Sequence, residues 1–483
     1  MSFARWASHR LDALARARPK TTLAVITGLV MFGLITHGHY AASGDAVHYL
    51  VIARSVAFDG DVDLENNYAD PERLMSDPHD LHARPGRNGV LRPVHDIGLP
   101  VLGAPFVGLA YHLAPLVERL PESFRRNAKL SVPIAFRQLV CLVMIGVTCV
   151  LAVRMFAAST LVTGLTSAAF AWSLLFALSP PIQTHGYLFL TEVPTALLAL
   201  VIYLRLDTVR GPHALRSAIV LGALIGFLLL LHIRNIGLFL ALAFLVTWRL
   251  QRAHEVRRAF LLSLGAMFLI RIGINWWFWG TLLSTPHAHF AGWLGLNPFL
   301  TETATRTFGL LFDPRHGLLF SAPIYLLAPA ALILLARRSR GTAVELVLII
   351  ACYLFFVVNP ITNFHGWRGG WSPAARFLVP VTPFLAMGLP LLTASRIGTA
   401  ITSVVVLLQV VISAVQWGNP TLTFSEGPGT ALWIQKLAGP SIAGALPSWD
   451  ALTPALALAA VAAIGLWIWL TRVIVGAPQA ARR

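Results

Sequence analysis

The sequence is short of charge. Of its 483 residues only 12% are Asp, Glu, Lys or Arg and 56% are hydrophobic, against about 25% charged in an ordinary soluble domain. So few charges cannot cover the surface of a soluble protein of this length. Cysteine is also scarce. Cys141, Cys149 and Cys352 all lie in apolar runs, which excludes a disulfide framework and a cysteine-based metal site. Internal repeats, low-complexity linkers and a separate soluble domain are absent too, so residues 1–483 read as a single domain. Acids are the scarcer charge, 21 against 37 Lys and Arg, which leaves a net charge of +16. In a soluble chain that excess would suggest nucleic acid. In a membrane chain it follows from Lys and Arg collecting in cytoplasmic loops, and no nucleic-acid partner is inferred.

Long apolar runs are what the sequence has in quantity. A spanning helix takes about 20 apolar residues. The pattern predicts twelve crossings, near 21–38, 133–153, 159–178, 187–205, 216–232, 236–250, 259–279, 317–336, 343–360, 376–394, 398–416 and 452–472. The fold class expected is therefore an all-α polytopic membrane protein. The first run also fits a signal peptide, with Ala41-Ala42-Ser43 after it. A retained anchor is preferred, because the polar segment that follows makes most sense tethered at a membrane surface.

Arginine placement sets the expected orientation. Arg5, Arg10, Arg16, Arg18 and Lys20 hold the amino terminus in the cytoplasm. Arg205, Arg210 and Arg216, then Arg249, Arg252, Arg257 and Arg258, then Arg337, Arg338 and Arg340 fall inside on the same scheme. Arg472, Arg482 and Arg483 bring the carboxyl terminus inside as well. The stretch 97–117 is apolar too, and counting it as a crossing would invert every later loop. Pro100, Pro105 and Pro115, with Gly98, Gly103 and Gly108, predict an interrupted helix there. It is read as a re-entrant or interfacial element. The first outer loop then runs over 39–132 and a late one over 417–451, with further outer segments near 280–316 and 361–375. The expected setting is a multi-pass protein of a bacterial inner (plasma) membrane.

The part of the first outer loop over 39–96 carries ten of the chain's 21 acids, so it is where acid chemistry is sought. Asp45 opens an amphipathic stretch in which Val47, Leu50, Val51 and Phe58 fall roughly on one helical face, as in a helix lying in the interface. Ser43 or Asp45 could equally be no more than that helix's N-cap. Asp59, Asp61, Asp63, Glu65 and Asp70 have a calcium-loop flavour, but Leu64 stands where the sharp turn wants Gly. A solvated turn is the expectation, with no metal assigned and a divalent cation as the alternative reading.

The informative arginines are those that positive-inside bias does not explain. Arg92, Arg234, Arg315, Arg368 and Arg376 are expected at outer helix ends, with Trp276, Trp277, Trp279, Trp293, Trp367 and Trp371 near them. A guanidinium fork suits phosphate oxygens. Anchoring to lipid headgroups is the plainer reading of any one of them, as an interfacial belt is of the tryptophans. Glu192 sits a few residues inside an apolar span, a costly place for an acid. Pairing with Arg234 or His185 and positioning of an acceptor are both open.

Several short motifs carry a resemblance. They are the first helix followed by Gly44-Asp45, RPVHDIGLPVLGAPF, SPP with the later Thr191-Glu192, WFWGTLL, RHGLLFSAPIY, and Gly366-Trp367-Arg368-Gly369-Gly370-Trp371-Ser372 with Ala375-Arg376-Phe377. Together they resemble the GT-C superfamily of membrane glycosyltransferases, which includes protein O-mannosyltransferases and aminoarabinose transferases. The likeness covers most of the chain. It implies a GT-C-like helical bundle and a sugar donor carried on polyprenyl phosphate. It also implies a lipid, polysaccharide or protein acceptor, membrane lipids as surroundings, and an acid after the first helix acting as base. Asp45 matches that acid. Many members carry two adjacent acids there, whereas this chain has Gly44-Asp45-Ala46. On this reading His48, Arg92, Arg234, Arg368 and Arg376 would serve the donor phosphate. Glu192, His185, Trp367 and Trp371 would serve the acceptor or the structure. A transporter or flippase of lipid-linked saccharides and a non-catalytic assembly subunit are the rival expectations.

Overall fold

The computed structural model describes residues 17–37, 44–69, 81–282, 286, 295–360, 367–394, 396–424, 429–449 and 453–476. It is 79% helical, with one two-stranded hairpin among the described residues. This is an all-α membrane protein. Numbering the helices of ten residues or more gives α1 (Pro19–His37), α2 (Asp45–Arg54), α3 (Gly98–Leu113), α4 (Val132–Thr163), α5 (Thr166–Ala177), α6 (Glu192–Leu204) and α7 (Ala214–Leu231). They continue with α8 (Ile236–Arg249), α9 (His254–Trp279), α10 (Leu296–Phe312), α11 (Ala328–Arg338), α12 (Arg340–Val358), α13 (Arg396–Gly418) and α14 (Pro454–Gly476). The hairpin pairs β1 (Ala83–Pro85) with β2 (Leu91–Pro93) in antiparallel register, Arg84 opposite Arg92.

Eight helical stretches among the described residues are long and apolar enough to cross a membrane. Seven are expected crossings: α1, α4, α7, α9, α12, α13 and α14. The other five expected crossings are built from shorter pieces. Those near 159–178, 187–205 and 236–250 hold α5, α6 and α8, of 12, 13 and 14 residues. The stretch near 317–336 is divided into Leu318–Ser321, a 3-10 turn at Pro323–Leu327, and α11. The stretch near 376–394 is a 3-10 segment (Arg376–Val381), a short helix (Thr382–Ala386) and another 3-10 segment (Leu389–Ala394). Pro323, Pro329 and Pro383 stand in the first turn of the pieces they open, and Pro380 lies inside its 3-10 segment; lacking an N–H, a proline does not extend a helical ladder that precedes it.

The eighth stretch, Gly98–Arg119, corrects the expectation of an interrupted helix. α3 is continuous through Pro105 and is prolonged by a 3-10 turn over Ala114–Arg119. Pro100 lies in the first turn, where an N–H has no intrahelical partner to lose. The glycines are sites of close approach rather than breaks. A Cβ on Gly98 would stand 2.4 Å from the Leu230 carbonyl oxygen, and one on Gly103 2.4 Å from the Phe189 ring. Gly98 thus abuts the end of α7. At the far end of α3, Leu113, Ala114 and Val117 share a cavity with Ile35 and Thr36, at the end of α1, and with Ala135 and Gln138, at the start of α4. Both ends of α3 therefore meet the same end of the bundle, and the helix lies along that end.

The first-loop helix α2 differs from its expected placement. Ala46, His48, Tyr49, Leu50, Val51, Ile52 and Ala53 are all buried, so protein covers it on nearly every side instead of lipid covering one. Tyr49 and Leu50 pack with Leu99, Val107, Tyr187 and Leu231. Val51 and Ile52 pack with Val62, Tyr68 and Phe278. Asp45 does not cap α2. The N-cap is Gly44, without a side-chain bond; Ser43 lies outside the described residues. Burying α2 fixes its first residue, Asp45, against the rest of the bundle.

Candidate functional site

Four chain segments meet at Arg376. The residue follows Ala375, which is left-handed at φ 59°, and begins a buried 3-10 segment. Its Nη1 donates to Asp45 Oδ2 at 2.6 Å and to the Gly369 carbonyl at 3.0 Å, and its Nε donates to Glu192 Oε1 at 2.6 Å. Glu192 opens α6, where the helix dipole favours a carboxylate, and its Oε1 also lies 3.8 Å from Arg234 Nη1. Arg234 follows the end of α7 and stacks 3.5 Å from the Phe377 ring centroid. Asp45, Glu192, Arg234 and Arg376 thus form one charge-balanced cluster. Paired and hydrogen-bonded charges are the form in which ions tolerate burial.

Asp45 is the open member. Its side chain is 27% exposed, while those of Arg376 and Glu192 are 4% and 2% exposed. Burial alone would raise the Asp45 carboxyl, but the charge of Arg376, with His95 and His82, holds it well below the usual carboxylate range. Backbone geometry enforces this placement. Gly44 has φ 55°, and a Cβ there would lie 2.3 Å from the Trp371 carbonyl oxygen. A side chain at position 44 has no room, so a second acid cannot directly precede Asp45.

Histidines flank the carboxylate on its open side. His82 Nδ1 stands 3.7 Å from Asp45 Oδ1 and 2.8 Å from His95 Nε2. His48 stacks on His82 at 3.7 Å, nearly parallel, and its Nδ1 meets the Tyr68 hydroxyl at 2.9 Å. His48 is therefore part of the histidine stack. Asp45, His82 and His95 offer ligand atoms all within 4.8 Å of one another. Two imidazoles and a carboxylate are a donor set that suits a divalent transition ion. Such an ion would replace the proton that the two rings now share, and would take the carboxylate oxygen that Arg376 leaves open. The earlier acid run serves the local turn instead: Asp61 accepts from Ser55 and the Asp63 N–H, and Asp59 accepts from Asn67. Asp70 lies outside the described residues.

The remaining expected site residues divide. His185 is buried beside the cluster. Its Nδ1 donates to the Pro181 carbonyl at 2.8 Å, and burial lowers the imidazole to about 4. Its Nε2 and Glu192 Oε2 are buried without a hydrogen-bond partner among the described residues. Trp367 is buried with Arg368 over its ring at 4.9 Å. Trp371 is half-exposed and supplies the carbonyl that abuts Gly44. Arg92 on β2 turns its guanidinium onto Trp277, 4.8 Å from the ring centroid, and onto Phe278. The structure thus brings Asp45, Glu192, Arg234 and Arg376 into one ion-pair network, sets His48 and His185 beside it, and gives Arg92 an aromatic partner.

Several residues of this region escaped the sequence reading. His82, His95 and Tyr49 sit in the first loop, and nothing in their local spacing marks them. Asp96 was visible only as one acid among many. It accepts the Ile233 N–H at 2.8 Å and pairs with Arg271 of α9. Arg271 did carry a signal: a lone arginine inside an apolar span. Burial and the charges of Arg234, Arg376, His95 and Arg271 lower His232 well below its ordinary value, so the Arg271 pair and the Arg376 cluster lie within one electrostatic field.

A scan against protein-family models gives no match, and a search of curated proteins gives none either.

Proposed function

We propose that the protein is an inverting glycosyltransferase that moves a sugar from a polyprenyl-phosphate donor to an envelope acceptor at the extracytoplasmic face of the membrane. The observation that carries this reading is the open Asp45 carboxylate held by a guanidinium that Glu192 also holds, at the end of a bundle of membrane-length helices. The GT-C-like motifs in the sequence supply the substrate class.

The chemistry balances on these residues. An acceptor hydroxyl oxygen bonds to the anomeric carbon, and the bond from that carbon to the phosphate oxygen breaks. The hydroxyl proton passes to Asp45, and polyprenyl phosphate leaves with the electron pair. Arg376 and Arg234 stabilise the charge that builds on the leaving phosphate. The same pairing weakens Asp45 as a base. A phosphate anion that drew Arg376 toward itself would loosen the ion pair and strengthen the base, coupling donor binding to proton abstraction. Glu192 keeps the guanidinium buried and oriented. Orientation with both termini and the Arg-rich loops in the cytoplasm places the site outside, where a bacterial inner membrane presents its lipid-linked sugars.

The test is a proteoliposome assay with a panel of polyprenyl-phosphate sugars, following release of polyprenyl phosphate. Release that depends on Asp45 is expected; release unchanged in Asp45→Asn removes the proposed base. One observation favours a second reading. The stretches near 317–336 and 376–394 are discontinuous helices, a form found at transporter binding sites. Passage of an intact lipid-linked saccharide across the vesicle wall, without transfer, would establish transport instead.

A further inference from the structure

Arg271 lies inside α9, five residues before Trp276, hence about 7–8 Å along the helix from it. Trp276 and Trp277 are half-exposed, as tryptophans of an interfacial belt are. Arg271 itself is 4% exposed. Its Nη1 donates to Asp96 Oδ1, while its Nε and Nη2 are buried and meet no acceptor among the described residues. A guanidinium has five N–H groups, and leaving charged donors unmatched in a buried place is costly. Asp96 alone does not account for this arginine.

The neighbouring groups also donate. His232 Nδ1 accepts the Arg234 N–H at 3.1 Å, which puts the proton of the neutral ring on Nε2. Asp96 is already engaged by the Ile233 N–H and Arg271. Among the described residues, the junction of α7, α9 and the segment after β2 therefore has donors to spare, and its carboxylate, Asp96, is in use. An anion with several oxygens is what this arrangement lacks. Its depth, one to two turns below the tryptophans, is that of a lipid headgroup phosphate drawn slightly inward.

We propose that Arg271, with His232, whose Nδ1 lies 3.8 Å from the other oxygen of Asp96, binds the phosphate of a polyprenyl phosphate lipid. This rests on the transferase reading for the identity of the lipid; the anion site itself rests on Arg271, Asp96 and His232. Arg271 is a phosphate-binding residue that Asp96 positions.

The experiment measures binding to the purified full-length protein by quenching of tryptophan fluorescence. The probes are a polyprenyl phosphate, the polyprenyl alcohol of the same length, and inorganic phosphate. Wild type should prefer the phosphate lipid over the alcohol, and Arg271→Lys, which keeps the charge but not the fork, should lose about tenfold or more of that preference. Asp96→Asn, which frees Arg271 from its counter-charge, should bind the phosphate lipid several-fold more tightly. Wild-type preference retained in a folded Arg271→Lys protein overturns the Arg271 site and leaves the transferase reading standing. If Arg271→Lys does not fold, unchanged affinity in folded Asp96→Asn overturns it in the same way. Inorganic phosphate bound as tightly as the lipid overturns the lipid assignment. No preference for phosphate over alcohol in wild type overturns this site and the donor class together.

Discussion

Asp45 and Glu192 hold opposite sides of one guanidinium: Arg376 reaches the first through Nη1 and the second through Nε, each at 2.6 Å. One carboxylate is open and the other enclosed, so the same arginine ties a solvent-facing acid to the interior of the bundle. Changes at the three residues should therefore separate chemistry from stability.

At the open end, Asp45→Asn keeps the shape and can still accept a hydrogen bond from Arg376, but it cannot take a proton. Transfer should fall by about 10²–10⁴ in kcat, the range expected for loss of a general base, with the thermal midpoint in detergent little changed. A loss confined to KM would assign Asp45 to binding.

At the enclosed end the outcome differs. Glu192→Ala leaves Arg376 and Arg234 without their shared acid, and breaking a buried pair from one side costs about 3–5 kcal/mol. The thermal midpoint should drop sharply. Adding Arg234→Met should restore part of that loss, because it removes one of the stranded charges. Independent, additive effects of the two changes would mean that the 3.8 Å contact between Arg234 and Glu192 carries no coupling.

Gly44→Ala tests the backbone that places Asp45. The added Cβ would meet the Trp371 carbonyl oxygen at 2.3 Å, in a left-handed conformation that costs about 1–3 kcal/mol for residues other than glycine. Transfer should fall by about tenfold or more while expression persists. Wild-type transfer would show that the approach of Trp371 to Gly44 does not set the site.

Stability should depend on pH through His185. Its imidazole is held at about 4 by burial, against 6.5 when free, so the unfolded chain binds the proton first as pH falls. The contribution is whole above pH 6.5 and is lost as pH falls from there toward 4, by about 3 kcal/mol in all. His185→Gln should flatten the fall in thermal midpoint over that window. Asp45 acts lower. Its carboxyl is depressed, so its contribution is present above the unfolded carboxylate range and is lost only as pH falls below it.

Much of the site was legible where a charge stood in the wrong surroundings. Glu192 in an apolar run, Arg234 between two spans, and Arg376 after a Gly-rich turn each announced themselves by the energetic cost of their position. The pairing of Glu192 with Arg234 was among the readings that the sequence left open. Arg271 obeyed the same rule and was passed over. His82 and His95 could not be found in this way, since two histidines in a polar loop cost nothing locally. The prolines and glycines of 97–117 misled, because their close contacts with Leu230 and Phe189 are made with residues remote in the sequence.

Composition and apolar run length settled the solvent. A chain this poor in charge and this rich in membrane-length runs has no stable surface in water, and that is a property of the residues whatever their contacts. The breaks near 317–336 and 376–394 were not read from the sequence, although prolines stand in both runs. Only the tertiary structure decided which charges meet. Burial makes an unpaired ion costly but does not name its partner, and Asp45, Glu192 and Arg376 come together through the packing of α2, α6 and the Arg376 segment. The tertiary fold also kept α3 continuous through Pro105 and covered α2 with protein. Those outcomes depend on which surfaces fit, and spacing along a single chain does not contain that information.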